Sequence, residues 1–222
     1  MPRRLVLAVV MFTLSACGSI VPQGSAPVRP QLEAPRPAAV TPVARQCLAE
    51  LGATGAKFSP VGDRYYGAGC STVGTVTLTG LRGDGAGFTL SNLGPVACPL
   101  AETTAAWARF GVDRAARQVL GSPLRQIETM GSYSCRNVAG SSRLSAHATA
   151  RAIDVSAFVL ADGRRITVRQ DWSGGTADQQ RFLRIVHDSA CKRFGTVLSP
   201  DYNAAHSDHF HLEAGRPGGF CR

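Results

Sequence analysis

This chain of 222 residues contains no His-Glu-x-x-His segment and no Cys-x-x-Cys pair, and its one long apolar stretch covers only residues 5–14. Each absence removes a class. Without His-Glu-x-x-His there is no helix that presents two histidine ligands beside a glutamate base, so a metal hydrolase here must draw its base from elsewhere. Without Cys-x-x-Cys the cysteines lack the spacing that structural metal sites favour. An apolar run of that length is too short to cross a bilayer, which takes roughly 20 residues of helix. Aromatic residues make up 7% of the chain and form no stripe interleaved with basic ones, and no nucleic-acid motif is present. The formal net charge of +9 therefore does not point to nucleic acid.

What is present begins with an address. Residues 1–16 hold Arg3 and Arg4, the apolar stretch and then small residues, the pattern of an export signal. Leu14-Ser15-Ala16-Cys17 resembles a bacterial lipobox, which implies lipidation of Cys17 as the first mature residue. Gly18 rather than aspartate after it implies sorting to the outer membrane in a diderm host, with the protein on the periplasmic side. Loss of Arg3 and Arg4 lowers the formal charge from +9 to +7, which suits an anionic envelope surface. Residues 17–45 contain Pro22, Pro27, Pro30, Pro35, Pro37 and Pro42 and little that could form a core. They read as a tether, and at ~3.1 Å per residue in an extended polyproline-like state about 26 of them, from Gly18 to Val43, reach up to ~80 Å.

Residues 46–222 are long enough for one domain with a hydrophobic core. Setting Cys17 aside leaves Cys47, Cys70, Cys98, Cys135, Cys191 and Cys221. An even six in an exported chain implies three disulfides among 15 connectivities. Sequential pairing is expected: Cys47–Cys70, Cys98–Cys135 and Cys191–Cys221.

Hydrophobic periodicity predicts helices over 46–51, 98–110, 112–120 and 177–194, and strands over 74–81, 124–133, 152–158, 166–168 and 196–198. Leu100, Trp107 and Phe110, with Thr103 in line, mark the buried stripe of the second helix. Phe182, Ile185, Val186, Ala190 and Phe194 mark that of the longest, with His187 off the stripe and read as structural. Strict alternation over 152–158 places Asp154, Ser156 and Phe158 on one face and Ile153, Val155 and Ala157 on the other. Ala161-Asp162-Gly163 then turns the chain into a hairpin.

Four of the five histidines fall in two segments, Ser145-Ala146-His147 and His206-Ser207-Asp208-His209-Phe210-His211. A period of two puts His209 and His211 on one strand face, opposite Phe210. His147, Asp154 and His211 then make two imidazoles and a carboxylate, a common catalytic zinc set that leaves a coordination position open. Zn2+ is thus the expected cofactor.

A histidine, six residues, an aspartate and a distant His-x-His resemble the zinc D-Ala-D-Ala carboxypeptidases and murein endopeptidases. Ser145-x-His147 and Ala152-Ile153-Asp154 carry that likeness, while Ala150 stands where those enzymes usually have glycine. Gly131-Ser132-Tyr133-Ser134-Cys135-Arg136-Asn137, with the segment from Asp201 to His211, resembles the bacterial extensin-like C-terminal domain family over 46–222. The resemblance implies an α+β fold: a small antiparallel sheet carrying a zinc site, flanked by helices, disulfide-stapled, like the D-Ala-D-Ala peptidases and hedgehog domains. It implies a zinc peptidase acting on peptidoglycan peptide stems, of endopeptidase or D,D-carboxypeptidase type. The rival is a non-catalytic wall-binding or scaffold lipoprotein in which zinc only stabilises the fold.

Residue roles follow from the same resemblance. Arg136, to which the 124–133 strand leads, matches an arginine that holds a substrate carbonyl or carboxylate. The carboxypeptidases keep a glutamate base at the place of Asp208, and the endopeptidases keep a histidine at the place of His209. Strand parity favours His209 as general base, since Asp208 falls on the opposite face. His206 is expected to orient the water or bind the oxyanion.

Overall fold

The computed structural model describes residues 41–222. The expected signal peptide of residues 1–16, the expected lipidation of Cys17 and the expected tether as far as residue 40 lie outside the described residues. The rest of the expected tether, residues 42–45, belongs to the first helix. Among the described residues no helix is long and apolar enough to cross a membrane.

The chain opens with α1 (Pro42–Ala53), started by Thr41, whose hydroxyl accepts from Ala44 N at 3.2 Å, with proline in its first turn. Five short or medium strands follow: β1 (Lys57–Pro60), β2 (Tyr65–Gly67), β3 (Cys70–Ser71), β4 (Thr75–Arg82) and β5 (Gly87–Ser91), then β6 (Pro95–Ala97). Next come α2 (Cys98–Trp107), a π-helical segment Ala108–Asp113, α3 (Arg114–Leu120) and β7 (Leu124–Gly131). A 3-10 turn Ala146–Thr149 leads into β8 (Ala152–Leu160), which pairs with β9 (Arg165–Thr167). The remainder is α4 (Val168–Asp171), α5 (Ala177–Cys191), β10 (Thr196–Leu198), a 3-10 turn Ala204–His206, β11 (Phe210–Glu213) and β12 (Phe220–Cys221).

The fold is α+β, but its sheet is neither small nor wholly antiparallel. Ten strands join it, in the order β1-β4-β5-β7-β8-β11-β10-β12, with β6 on β4 and β9 on β8. β5 pairs with β7 in parallel, as does β10 with β12. The helical run from α2 to α3 is the reason for the first: it is a crossover long enough to bring the chain back in the same direction. The helices cover one sheet face. Trp107 sits at their junction with it, edge-on to Phe158 (6.2 Å) and Phe194 (5.9 Å), its Nε1 donating to Val186 O at 3.1 Å. The opposite face is open and carries the sites described below.

Two stripes differ from their periodicity. A π-helical turn takes one residue more than an α turn, so after Trp107 the helical phase slips. Val112 is buried, and Phe110 is instead 43% exposed, between the guanidiniums of Arg109 and Arg114. Thr104 takes the buried position expected of Thr103, and Leu183 that expected of Ile185. In β8 an irregularity at Ser156, where β7 advances one residue while β8 advances two, reverses the alternation. Phe158 therefore joins Ile153 and Val155 in the core, while Asp154 and Ser156 keep to the open face.

Sequential pairing of the first four cysteines is corrected: the disulfides are Cys47–Cys98, Cys70–Cys135 and Cys191–Cys221. α1 packs against α2, bringing Cys47 to Cys98, and β3 lies against the Ala146–Thr149 turn, bringing Cys70 to the Arg136 loop. The first two bridges close spans of 51 and 65 residues, each restricting the unfolded chain by about 4 kcal/mol in the chain-entropy model.

Candidate metal centre

Asp154 on β8 and His211 on β11 are direct register partners, so both side chains rise from one face of adjacent strands. His147 reaches them from the Ala146–Thr149 turn. Ser145 begins that turn, its Oγ accepting from His147 N at 3.3 Å, and Ala150 ends it with φ 53° and ψ 30°. A glycine would adopt that left-handed conformation without strain, and Ala150 adopts it here. Ala150 N and Arg151 N close the turn onto the carbonyls of His147 and Ala146.

His147 Nε2 lies 3.1 Å from Asp154 Oδ2 and 3.2 Å from His211 Nδ1, and His211 Nδ1 lies 2.8 Å from Asp154 Oδ1. The three ligand atoms all fall within 4.8 Å of one another, and these residues are a group able to hold a metal ion. The outward nitrogens are fixed. His147 Nδ1–H donates to Ser132 O at 2.7 Å, leaving Nε2 to face the cluster. His211 Nε2–H donates to Glu213 Oε1 at 2.9 Å, leaving Nδ1 to face it. A ring nitrogen tied to a carbonyl or carboxylate behind a ligating histidine is the usual support of a metal site.

Electrostatics at the cluster favour a cation. Burial opposes ionisation of Asp154, yet its hydrogen bonds to His147 and His211 outweigh this and hold its carboxyl well below the usual range. Burial likewise opposes charge on His211, but its bonds to Asp154 and Glu213 push it up to about 9. Hydrogen bonding to His211 holds Glu213 low. A proton on His211 Nδ1 and a metal ion thus answer the same need for positive charge beside Asp154.

His209 immediately precedes β11 and is buried on the open face beside His211, while Phe210 enters the core. Its Nδ1–H donates to Asp208 Oδ1 at 2.8 Å and its Nε2 lies 3.5 Å from Asp154 Oδ1. Asp208 and His209 therefore form one dyad rather than rival bases: the carboxylate orients the ring, and the free nitrogen faces the cluster. His206 packs 5.2 Å from the ring of His209 and 5.8 Å from that of His211, its Nδ1–H on Asn203 Oδ1 at 2.7 Å. Burial and the nearby charges of His209, His211 and Arg136 push it down to about 4.

Arg136 is exposed and sits on the loop that follows β7, which ends at Gly131, two residues short of the expected strand end at 133. The loop is pinned by Cys70–Cys135 and by Ser145 N donating to Arg136 O at 3.1 Å. Glu213, Ser132 and Asn203 are the supporting residues that sequence reasoning does not single out. Glu213 is legible afterwards, two residues past His211 and so on its face; a backbone carbonyl such as Ser132 O leaves no such signal. His187 packs edge-on to Trp172 (5.7 Å) and near the Cys191 and Cys221 sulfurs, which are bonded to each other.

A family model, the extensin-like protein C-terminus, matches residues 45–222. No curated protein and no solved structure matches the chain.

Proposed function

The chain belongs to the extensin-like protein C-terminus family, and from that premise we propose that it is a zinc-dependent peptidase of the cell envelope, acting on the peptide stems of peptidoglycan. One observation carries the proposal: His147, Asp154 and His211 converge with their outward nitrogens already tied to Ser132 O and Glu213. Two imidazoles and one carboxylate suit zinc and leave room for a substrate. Zinc in this cluster supplies a Lewis acid that polarises an amide carbonyl and makes water nucleophilic near neutral pH.

The chain's own residues supply the rest. His209 Nε2, held toward the cluster by Asp208, takes the proton of the attacking water and passes it to the leaving amine. His206, kept neutral by burial with its Nδ1–H on Asn203 Oδ1, presents Nε2 as an acceptor and so orients the attacking water. Arg136, on its disulfide-pinned loop, holds a carbonyl or terminal carboxylate of the stem by charge-assisted bonds. The motif resemblance to D-Ala-D-Ala carboxypeptidases and murein endopeptidases supports the same reaction. The lipobox-like Leu14-Ser15-Ala16-Cys17 supports an outer-membrane lipoprotein facing the periplasmic wall.

A second reading has its own observation. With His209 Nε2 only 3.5 Å from Asp154 Oδ1, a small movement makes His209 a fourth ligand, closing the site and leaving zinc to stabilise a wall-binding scaffold. Against it, His209 is not among the residues whose ligand atoms already lie mutually close. Incubating the purified chain with soluble muropeptides, with and without chelator, separates the two. Cleavage that chelator abolishes and zinc restores supports the peptidase; intact muropeptides beside a zinc-loaded chain refute it.

A further inference from the structure

The open sheet face carries a second feature, away from the metal centre. A trough of about 820 Å3 crosses β1, β4, β5 and β7. One cross-strand row runs through it, Lys57, Gly80, Thr89 and Gln126, each the register partner of the next. Gly80 leaves the middle of the row without a side chain, and the Lys57 stem lies across the gap, 3.3 Å from where a Cβ would stand. Pairing slips on both sides of the row, between β1 and β4 beside Gly80 and between β7 and β8 at Arg125. Such bulges re-aim side chains, and here Arg125 and Gln126 both line the trough although they are neighbours in one strand.

The outcome is three exposed cations, Lys57, Arg82 and Arg125, in one concavity. None of them makes an ion pair among the described residues. Other arginines do: Arg165 with Glu128 at 2.7 Å, Arg117 with Asp113 at 3.0 Å. Among the described residues Asp84 is the one acid lining the trough, and it is already held by both Arg109 and Arg114. Like charges gathered on neighbouring strands repel and do nothing for the fold. A concavity that keeps three of them uncompensated is complementary to an anion.

The position of the trough selects the anion. β7 joins the two sites on one face: Gln126 pairs into the trough, and Gly131 pairs with the ligand Asp154. Five residues of strand at roughly 3.3 Å each put them about 17 Å apart. A smaller hollow touches β7 and β8 at Met130 and Ser156, with Arg165, Thr167 and Arg169 beyond them, and reaches Asp208 beside the metal centre. An extended peptide of about five residues spans that distance.

We propose that the trough of Lys57, Arg82 and Arg125 binds the carboxylates of an extended wall peptide whose far end lies at the metal centre. The existence of this anion site is independent of the peptidase reading; the identity of its ligand rests on it. Arginine suits carboxylate through paired N–H donors, and a crosslinked stem carries several free carboxylates along its length.

The test is co-sedimentation of the full chain with insoluble peptidoglycan, comparing wild type with Arg82→Glu/Arg125→Glu. Retention should fall about tenfold at 0.15 M salt, equivalent to ~1.4 kcal/mol shared by two exposed contacts. Arg82→Gln/Arg125→Gln, which only relieves repulsion and so keeps the fold, should show an intermediate loss. Zinc content and hydrolysis of a short soluble peptide that occupies only the metal centre should be unchanged in both. Wild-type retention in both variants overturns the proposal. So does preferential binding of wild type to vesicles of anionic phospholipid, lost in the variants while peptidoglycan retention persists. A chain that is retained through the trough but cleaves nothing refutes the peptidase reading alone, and one that cleaves muropeptides with no loss of retention in the variants refutes the trough alone.

Discussion

Replacing Glu213 probes the metal centre without touching any ligand. Glu213 accepts the Nε2 proton of His211 at 2.9 Å, its side chain only 29% exposed. The bond fixes which nitrogen of His211 faces Asp154 and makes that nitrogen more basic. Carboxylate support of this kind is worth about 10–100-fold in metal affinity, or ~1.4–2.7 kcal/mol. Glu213→Gln keeps an acceptor oxygen and loses the charge, so zinc affinity should weaken about tenfold. Glu213→Ala loses both, so the figure should approach a hundredfold. Competition against a chromophoric chelator at fixed pH reads both constants, and thermal unfolding of the metal-free proteins shows whether the fold is intact. Affinities within twofold of wild type in both variants would refute the assignment of His211 Nδ1 as the ligating atom with Glu213 behind it.

His209→Ala should retain zinc while turnover falls ~10²–10⁴-fold, the usual share of a positioned proton-transfer group; loss of zinc would make His209 a ligand. Asp208→Asn should cost less than His209→Ala, because it removes only the group that orients the ring, and steady-state kinetics on a muropeptide decides the order. Converting Cys70 and Cys135 to serine together should lower stability by ~2–4 kcal/mol, seen as a fall of roughly ten degrees in the unfolding midpoint, with Cys47–Cys98 still mapped by mass spectrometry. In chelator, His211 is raised to about 9 from 6.5, so its contribution is full below pH 6.5 and is lost as pH rises through 9. With zinc present the sign reverses, since the ligands must be deprotonated to bind, and denaturant titrations from pH 6 to 9 should therefore slope in opposite directions.

Much of the candidate site was legible because strand geometry is simple. A period of two is enough to bring Asp154 and His211 to one face, and the register of β8 with β11 makes them direct neighbours. Residues whose position depends on an irregularity were not legible. The π-helical segment turns Phe110 outward, and the slip at Ser156 turns Phe158 inward, though each fits its simple periodicity. Cysteine pairing followed the packing of α1 on α2, which spacing along the chain does not encode. The parallel pairing of β5 with β7 likewise came from the helical crossover between them rather than from either strand's own residues. Strand parity sets Asp208 and His209 on opposite faces as alternatives, but β11 begins only at Phe210, so the residue before it is free to let the two side chains meet.

The most direct test of the metal centre is elemental analysis of the purified chain beside His147→Ala, His211→Ala and His187→Ala. One zinc per chain is predicted for wild type and His187→Ala, and none for His147→Ala and His211→Ala. A wild-type chain that binds no zinc when offered it, or ligand variants that keep a full equivalent, would contradict the assignment of His147, Asp154 and His211.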